Sequence, residues 1–153
     1  MTEKAHMMLD KLFKSFRGKA DEAGDPEADL KKAVAALLVE AARADEVYTD
    51  EEKSLITQML AKRFALSETD ALALRADAEE AQASANDLYG FSRVVKSGLD
   101  RAGKMALIED MWRIVLSDDD RDPHEDMIIR RLIGLIYLED TDSAEARRRA
   151  EAS

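Results

Sequence analysis

The sequence predicts an all-α bundle of seven or eight helices built around two related helical hairpins. Three observations carry this expectation. Apolar residues recur at helical spacing along most of the chain, and no stretch shows the period-two alternation bounded by hairpin turns that strands require. Helix-start residues stand in front of most of these stripes. The chain also matches itself, without a gap, at an offset of 73 residues.

The elements follow in order. Residues 4–17 set Met8, Leu9, Leu12, Phe13 and Phe16 on one helical stripe, closed by Gly18 and a polar run to Gly24. Asp25-Pro26 then reads as N-cap and first helical residue of a helix to about Ala44, with Leu30, Val34, Leu37, Leu38 and Ala41 on one side. Thr49 opens a helix over about 50–64 whose stripe is Leu55, Ile56, Met59, Leu60 and Phe64. Ser67 caps an Ala- and Glu-rich helix over about 68–83, and the small polar run Gln82 to Asn86 breaks it. Asp87 starts a short helix through about Lys96, ended by Gly98, with Leu88, Phe91, Val94 and Val95. A helix over about 101–117 carries Leu107, Ile108, Met111, Trp112 and Val115. Asp122-Pro123 opens another over about 123–138. Asp142 or Ser143 caps the last, whose Arg147-Arg148-Arg149 suits the negative end of a helix dipole. Trp112 is expected in the core with a partner for its indole N–H.

The repeat orders these helices. Val34, Leu38 and Val39 fall on Leu107, Met111 and Trp112; Leu55, Ile56, Met59 and Leu60 fall on Ile128, Ile129, Leu132 and Ile133; Phe64 falls on Tyr137. Each unit is a helix, a short acidic turn and a helix, over 34–70 and 107–143. Two copies of so long a period suit a bundle rather than a solenoid. The expected organisation is an amphipathic helix and linker over 1–24, a helical domain over 25–142 and a helical tail over 143–153.

Composition excludes several functions. The chain of 153 residues has no cysteine, so disulfides, Cys-ligated zinc, iron–sulfur clusters and thiol nucleophiles are absent. Its formal net charge of −10 argues against nucleic acid, whose phosphates call for Lys and Arg. With two histidines, His6 and His124, a His-rich metal site is not expected. No Gly-rich phosphate loop occurs. No Ser or Thr shows a base and orienter beside it, so an enzyme is not expected.

The acidic turns hold the candidate ligands. Asp45 and Glu52 in the first unit correspond to Asp118 and Glu125 in the second, each Asp ending one helix and each Glu lying seven positions on. The two Glu residues also suit helix caps: Thr49-x-x-Glu52 is a capping box, and Glu125 stands third after Asp122. Asp45 and Asp118 sit at the unfavourable end of a helix dipole, a position compensated either by turn amides or by a cation. Asp118, Asp120 and Asp122 occupy positions 1, 3 and 5 of a calcium-loop spacing, but Pro123 and Ile129 stand where that loop needs Gly and Glu. The loop is therefore not an EF-hand. Calcium or magnesium is the candidate ion for these oxygens, and a solvated acidic surface with caps is the competing reading.

Helix, Ala-Asp-(x)6-Glu, helix, given twice, resembles the tellurite-resistance TerB family over roughly Leu30 to Glu139. Ala44-Asp45 with Glu52 is the closer copy and Asp118 with Glu125 the second. Family members often carry Gly after the Asp, where this chain has Glu46 and Asp119. The resemblance implies an all-helical domain of about seven helices, a divalent cation at the acidic residues, and a non-catalytic binding or scaffold role in tellurite or stress response.

Partners are expected to be proteins. The N-terminal segment, residues 4–19 with the adjoining Glu3, carries Lys4, Lys11, Lys14, Arg17 and Lys19 against Glu3 and Asp10, so this amphipathic segment suits an anionic membrane surface, a partner, or the bundle's own apolar face. No run approaches the ~18–20 apolar residues of a membrane span, and the N-terminus lacks a signal sequence's uninterrupted apolar stretch, so a cytoplasmic protein is expected.

Overall fold

Side-chain caps set the helix starts much as the sequence predicts. In a computed structural model that describes residues 25–44, 47–117 and 123–152, the side chains of 123–126 excepted, seven helices and no strand are formed among the described residues. They are α1 (Pro26–Arg43), α2 (Asp50–Phe64), α3 (Glu68–Ser84), α4 (Tyr89–Gly98), α5 (Arg101–Leu116), α6 (Pro123–Leu135) and α7 (Asp140–Ala152). The helix expected over residues 4–17 lies outside the described residues. Asp25 accepts from the Glu27 N–H at 3.0 Å, Ser67 from Asp70 at 3.1 Å and Asp100 from Gly103 at 2.8 Å. Each satisfies one of the donors that a helix start leaves unpaired.

Helix α1 is the centre of the bundle and packs against α2, α3, α4, α5 and α6. Its run Ala33–Val39, with Ala41 and Ala42, is buried. The alanines keep the surface of α1 low, so neighbours approach closely, while Val34, Leu37 and Leu38 fill the space between. Each fully buried Leu contributes about 1.5–3 kcal/mol. Helix α5 supplies the second half of the core through Leu107, Ile108, Met111, Ile114 and Val115. Helix α7 lies on α5 through the small residues Ser143, Ala146 and Ala150. There the buried Trp112 indole N–H donates to Ser143 Oγ at 3.1 Å, and the Arg147 guanidinium stands 5.1 Å from the Trp112 ring centre. Trp112 thus has the partner its burial demands.

Three boundaries differ from expectation. Helix α4 begins at Tyr89 rather than Asp87, because the Asp87 carboxylate accepts the Tyr89 N–H at 2.9 Å and holds the chain in a turn before the helix. Helix α6 ends at Leu135 rather than 138. It closes with Tyr137 at φ 66° and the Leu138 N–H donating to the Ile133 carbonyl at 2.9 Å. Helix α2 closes with the same bond, Leu66 N–H to Ala61 carbonyl at 2.9 Å, with Ala65 at φ 52°. This is the Schellman arrangement, and in α6 it comes one residue earlier than the 73-residue offset would place it. Helix α7 begins at Asp140, ahead of the expected Asp142 or Ser143. Asp142 sits inside the first turn and its carboxylate accepts the Glu139 N–H at 2.9 Å, the back-reaching half of a capping box.

Candidate functional site

Of the six carboxylates singled out in the sequence, Glu52 has a described side chain. Asp45, Asp118, Asp120 and Asp122 lie outside the described residues, and Glu125 lies in the first turn of α6 with its side chain outside them. Glu52 is 5% exposed and completes the capping box. Its Oε1 accepts from the Thr49 N–H and hydroxyl, both at 3.0 Å, while Thr49 Oγ1 accepts the Glu52 N–H at 3.1 Å. An ion at this carboxylate would share an oxygen already committed to the helix start. Among the described residues no three His, Asp or Glu side chains converge as metal ligands.

Behind that cap lies a polar network joining α1, α2 and α3. Arg43 donates to Gln82 Oε1 at 2.5 Å and to the Glu79 carbonyl at 3.1 Å. Arg75 donates to Thr57 Oγ1 at 2.8 Å and to the Lys53 carbonyl at 3.0 Å. Tyr48 is held between the Arg43 guanidinium, 4.9 Å from its ring centre, and the Lys53 ammonium at 5.0 Å. Burial, and then the Glu79 carboxylate beside it, push the Tyr48 hydroxyl well above the usual tyrosine range. These contacts tie the first turn to α3 and are structural in kind.

A second network joins α2 to α5. Arg63 donates to Asp110 and, at 3.0 Å, to the Ala106 carbonyl. Arg113 donates to the other Asp110 oxygen at 2.9 Å and to Glu109 at 2.6 Å. The Asp110 side chain is 7% exposed. The four side chains floor a groove of about 620 Å³ and are paired with one another, with Lys62 also in the lining. Such a network locks two helices together.

A different surface is built from α4 and the end of α6. Tyr89, Arg93 and Lys96 fall at i, i+4 and i+7 on α4, one face of that helix. Lys96 Nζ donates to the Tyr137 hydroxyl at 3.2 Å and lies 4.4 Å from its ring centre. Arg93 lies 5.9 Å from the centre of the Tyr89 ring. Both tyrosines are exposed, Tyr89 by 57% and Tyr137 by 74%. Tyr137 also holds the left-handed backbone that an aromatic adopts at a cost and a glycine adopts freely. The closing turn does not need that ring, because Ala65 closes α2 in the same way.

The family model described as tellurite resistance protein TerB matches residues 31–148. The chain belongs to the TerB family. Comparison with curated proteins and with solved structures gives no match. The TerB match runs from the second turn of α1 into α7 and so takes in all seven helices. No helix among the described residues is long and apolar enough to cross a membrane.

Sequence reasoning did not single out the α4–α6 strip of this TerB-family chain. Tyr137 stands in the stripe position of Phe64, so periodicity reads it as a core residue. The early stop of α6 turns it outward. A signal was available in the i, i+4, i+7 spacing of Tyr89, Arg93 and Lys96, although one helix face of this kind is common on solvated surfaces.

Proposed function

We propose that this TerB-family chain is a non-catalytic binding module of a tellurite or stress-response system, and that it holds a protein partner on the Tyr89–Arg93–Lys96–Tyr137 strip. The observation that carries the reading is Tyr137, an exposed aromatic kept in a left-handed backbone where a smaller residue closes the equivalent turn of α2. The ring gains the Lys96 contact inside the fold yet stays 74% exposed, and an aromatic left so exposed on a strained backbone points to a use outside the fold. Exposed tyrosines with a cation over each ring supply the apolar area and directional contacts typical of interface anchors. Locally, Arg93 and Lys96 suit a partner segment that offers them carboxylates. The family description supports the response system.

The test is capture from the native cell with wild type, Tyr89→Ala and Tyr137→Gly side by side. A partner retained by wild type and lost by both variants, at unchanged folding, supports the reading. Equal capture by all three overturns it. Stabilisation of wild type by millimolar calcium or magnesium, with no partner dependent on the strip, would favour the cation-sensor alternative.

A further inference from the structure

Two charged faces of the bundle are left unmatched. Residues 88–99 and 127–138 contain no Asp or Glu, in a chain that has 33 of them, and they carry Arg93, Lys96, Arg130 and Arg131. Helix α3 is the reverse. It holds Glu68, Asp70, Asp77, Glu79 and Glu80, and its one cation, Arg75, faces Glu79. Among the described residues none of those four cations is in an ion pair, and neither are Glu68, Asp70, Asp77 and Glu80. The outer face of α6 is Met127, Arg130, Arg131 and Gly134, all exposed, opposite the buried Ile129, Leu132 and Ile133. It runs on into Tyr137. Gly134 is helical, and a Cβ added there would meet nothing within 4 Å. Neither a turn nor crowding inside the chain calls for glycine at this point, and glycine weakens a helix. Such a low spot lets another backbone approach from outside. The outer face of α3 is low as well. Ala73, Ala76 and Ala83 are exposed on it, beside Leu72, Asp77 and Glu80.

We propose that the partner held on the Tyr89–Arg93–Lys96–Tyr137 strip is a second copy of this chain, which lays the outer face of its α3 along α6 and the strip. The proposal rests on the strip reading above and names its occupant. Charge complementarity carries it. Asp77 and Glu80 of one copy meet the unpaired Arg130 and Arg131 of the next, and Arg93 and Lys96 extend the basic side. The apolar parts agree too. Leu72, Tyr89, Met127 and Tyr137 are exposed large apolar side chains, and all four lie on these two faces. The low alanines of α3 and the low point at Gly134 let the two helices come close. Pairing α6 with α6 would bring cations together, and pairing α3 with α3 would bring carboxylates together. The contact is therefore head to tail. Such an interface leaves an α3 face and an α6 face open at the two ends, so assembly continues past a dimer unless a ring closes.

Sedimentation velocity of the intact, purified chain over a concentration series is the test. Wild type is expected to grow beyond a dimer as concentration rises. Its association should weaken about tenfold or more between ~0.1 and ~1 M salt, where the screening length falls from ~10 to ~3 Å. Two variants reverse one face each: Arg130→Glu with Arg131→Glu, and Asp77→Lys with Glu80→Lys. All four positions are exposed on helices and receive good helix formers, so circular dichroism should show the fold kept. Each variant alone has two faces of like charge and is expected to stay monomeric. An equal mixture matches reversed face with reversed face and native with native, and is expected to assemble as wild type does. A monomeric wild type overturns the proposal. So does a variant that assembles alone, a mixture that stays monomeric, or assembly that Tyr89→Ala and Tyr137→Gly leave unchanged. A monomeric wild type that still captures another protein through Tyr89 and Tyr137 overturns the second copy and leaves the strip reading standing.

Discussion

The Arg63–Asp110 pair offers a sharp test of what holds the two halves of the bundle together. Residue 37 lies 73 positions before Asp110, and residue 136 lies 73 positions after Arg63. They are Leu37 and Ile136, both fully buried, on and just beyond helices α1 and α6 that also pack together. The positions 73 residues from the ionic pair are therefore apolar and buried. Asp110 is the hub, because Arg63 and Arg113 both donate to it. Asp110→Asn removes the charge and leaves two guanidinium groups facing a neutral amide. For a fully buried pair the loss is about 3–5 kcal/mol. The Arg63 and Arg113 side chains are 18% and 33% exposed, so water offsets part of it, and a loss of about 2–3 kcal/mol is expected. Arg63→Ile combined with Asp110→Leu copies the apolar residues found 73 positions away and removes both charges together. Replacing a buried pair in this way is often neutral, so the double variant is expected within about 1 kcal/mol of wild type. Urea unfolding followed by circular dichroism measures wild type, Asp110→Asn, the double variant and its singles Arg63→Ile and Asp110→Leu, and the coupling between the two sites should exceed about 1 kcal/mol. Single-variant losses below about 1 kcal/mol would mean that the pair behaves as a surface contact. A double variant as unstable as the sum of its singles would refute the coupling outright.

Other outcomes follow from individual contacts. Below pH 10 both folded and unfolded chains keep the Tyr48 proton, but above it the unfolded chain releases a proton that the folded chain holds. Stability therefore falls with alkalinity from about pH 10 upward, and Tyr48→Phe should show a shallower fall in melting temperature while keeping both cation–ring contacts. Ser143→Ala leaves the buried Trp112 N–H without its acceptor and should cost about 1–3 kcal/mol in urea unfolding, with a change in tryptophan fluorescence. Asp45→Asn and Asp118→Asn are expected to fold and to match wild type in their thermal response to calcium or magnesium, because Asn also suits a turn and still accepts a hydrogen bond. A wild-type melting temperature that rises with ion, and rises less in either variant, would transfer the function to the acidic turns.

The sequence by itself determined the helices of the described residues, most of their starts and the all-α class. Asp25-Pro26, Thr49 and Ser67 are local signals, since a cap bonds to backbone two or three residues away and needs no tertiary partner. The helix stripes were legible for the same reason: periodicity of 3.6 is written in neighbouring residues. The TerB relation was legible in the spacing of Asp45 to Glu52 and its second copy, and the family match bears it out. Tertiary structure decided the rest. Arg63 and Asp110 are 47 residues apart, and nothing local distinguishes them from two solvated charges until α2 and α5 are laid together. Leu37 and Asp110 stand 73 residues apart, matched by the offset read in the sequence, yet carry opposite chemistry, which only their packed surroundings explain. Tyr137 sits in an apolar stripe by sequence and on the surface in the fold. The stop of α6 that turns it outward is a backbone bond from Leu138 to Ile133, which any residue can make and no side chain announces.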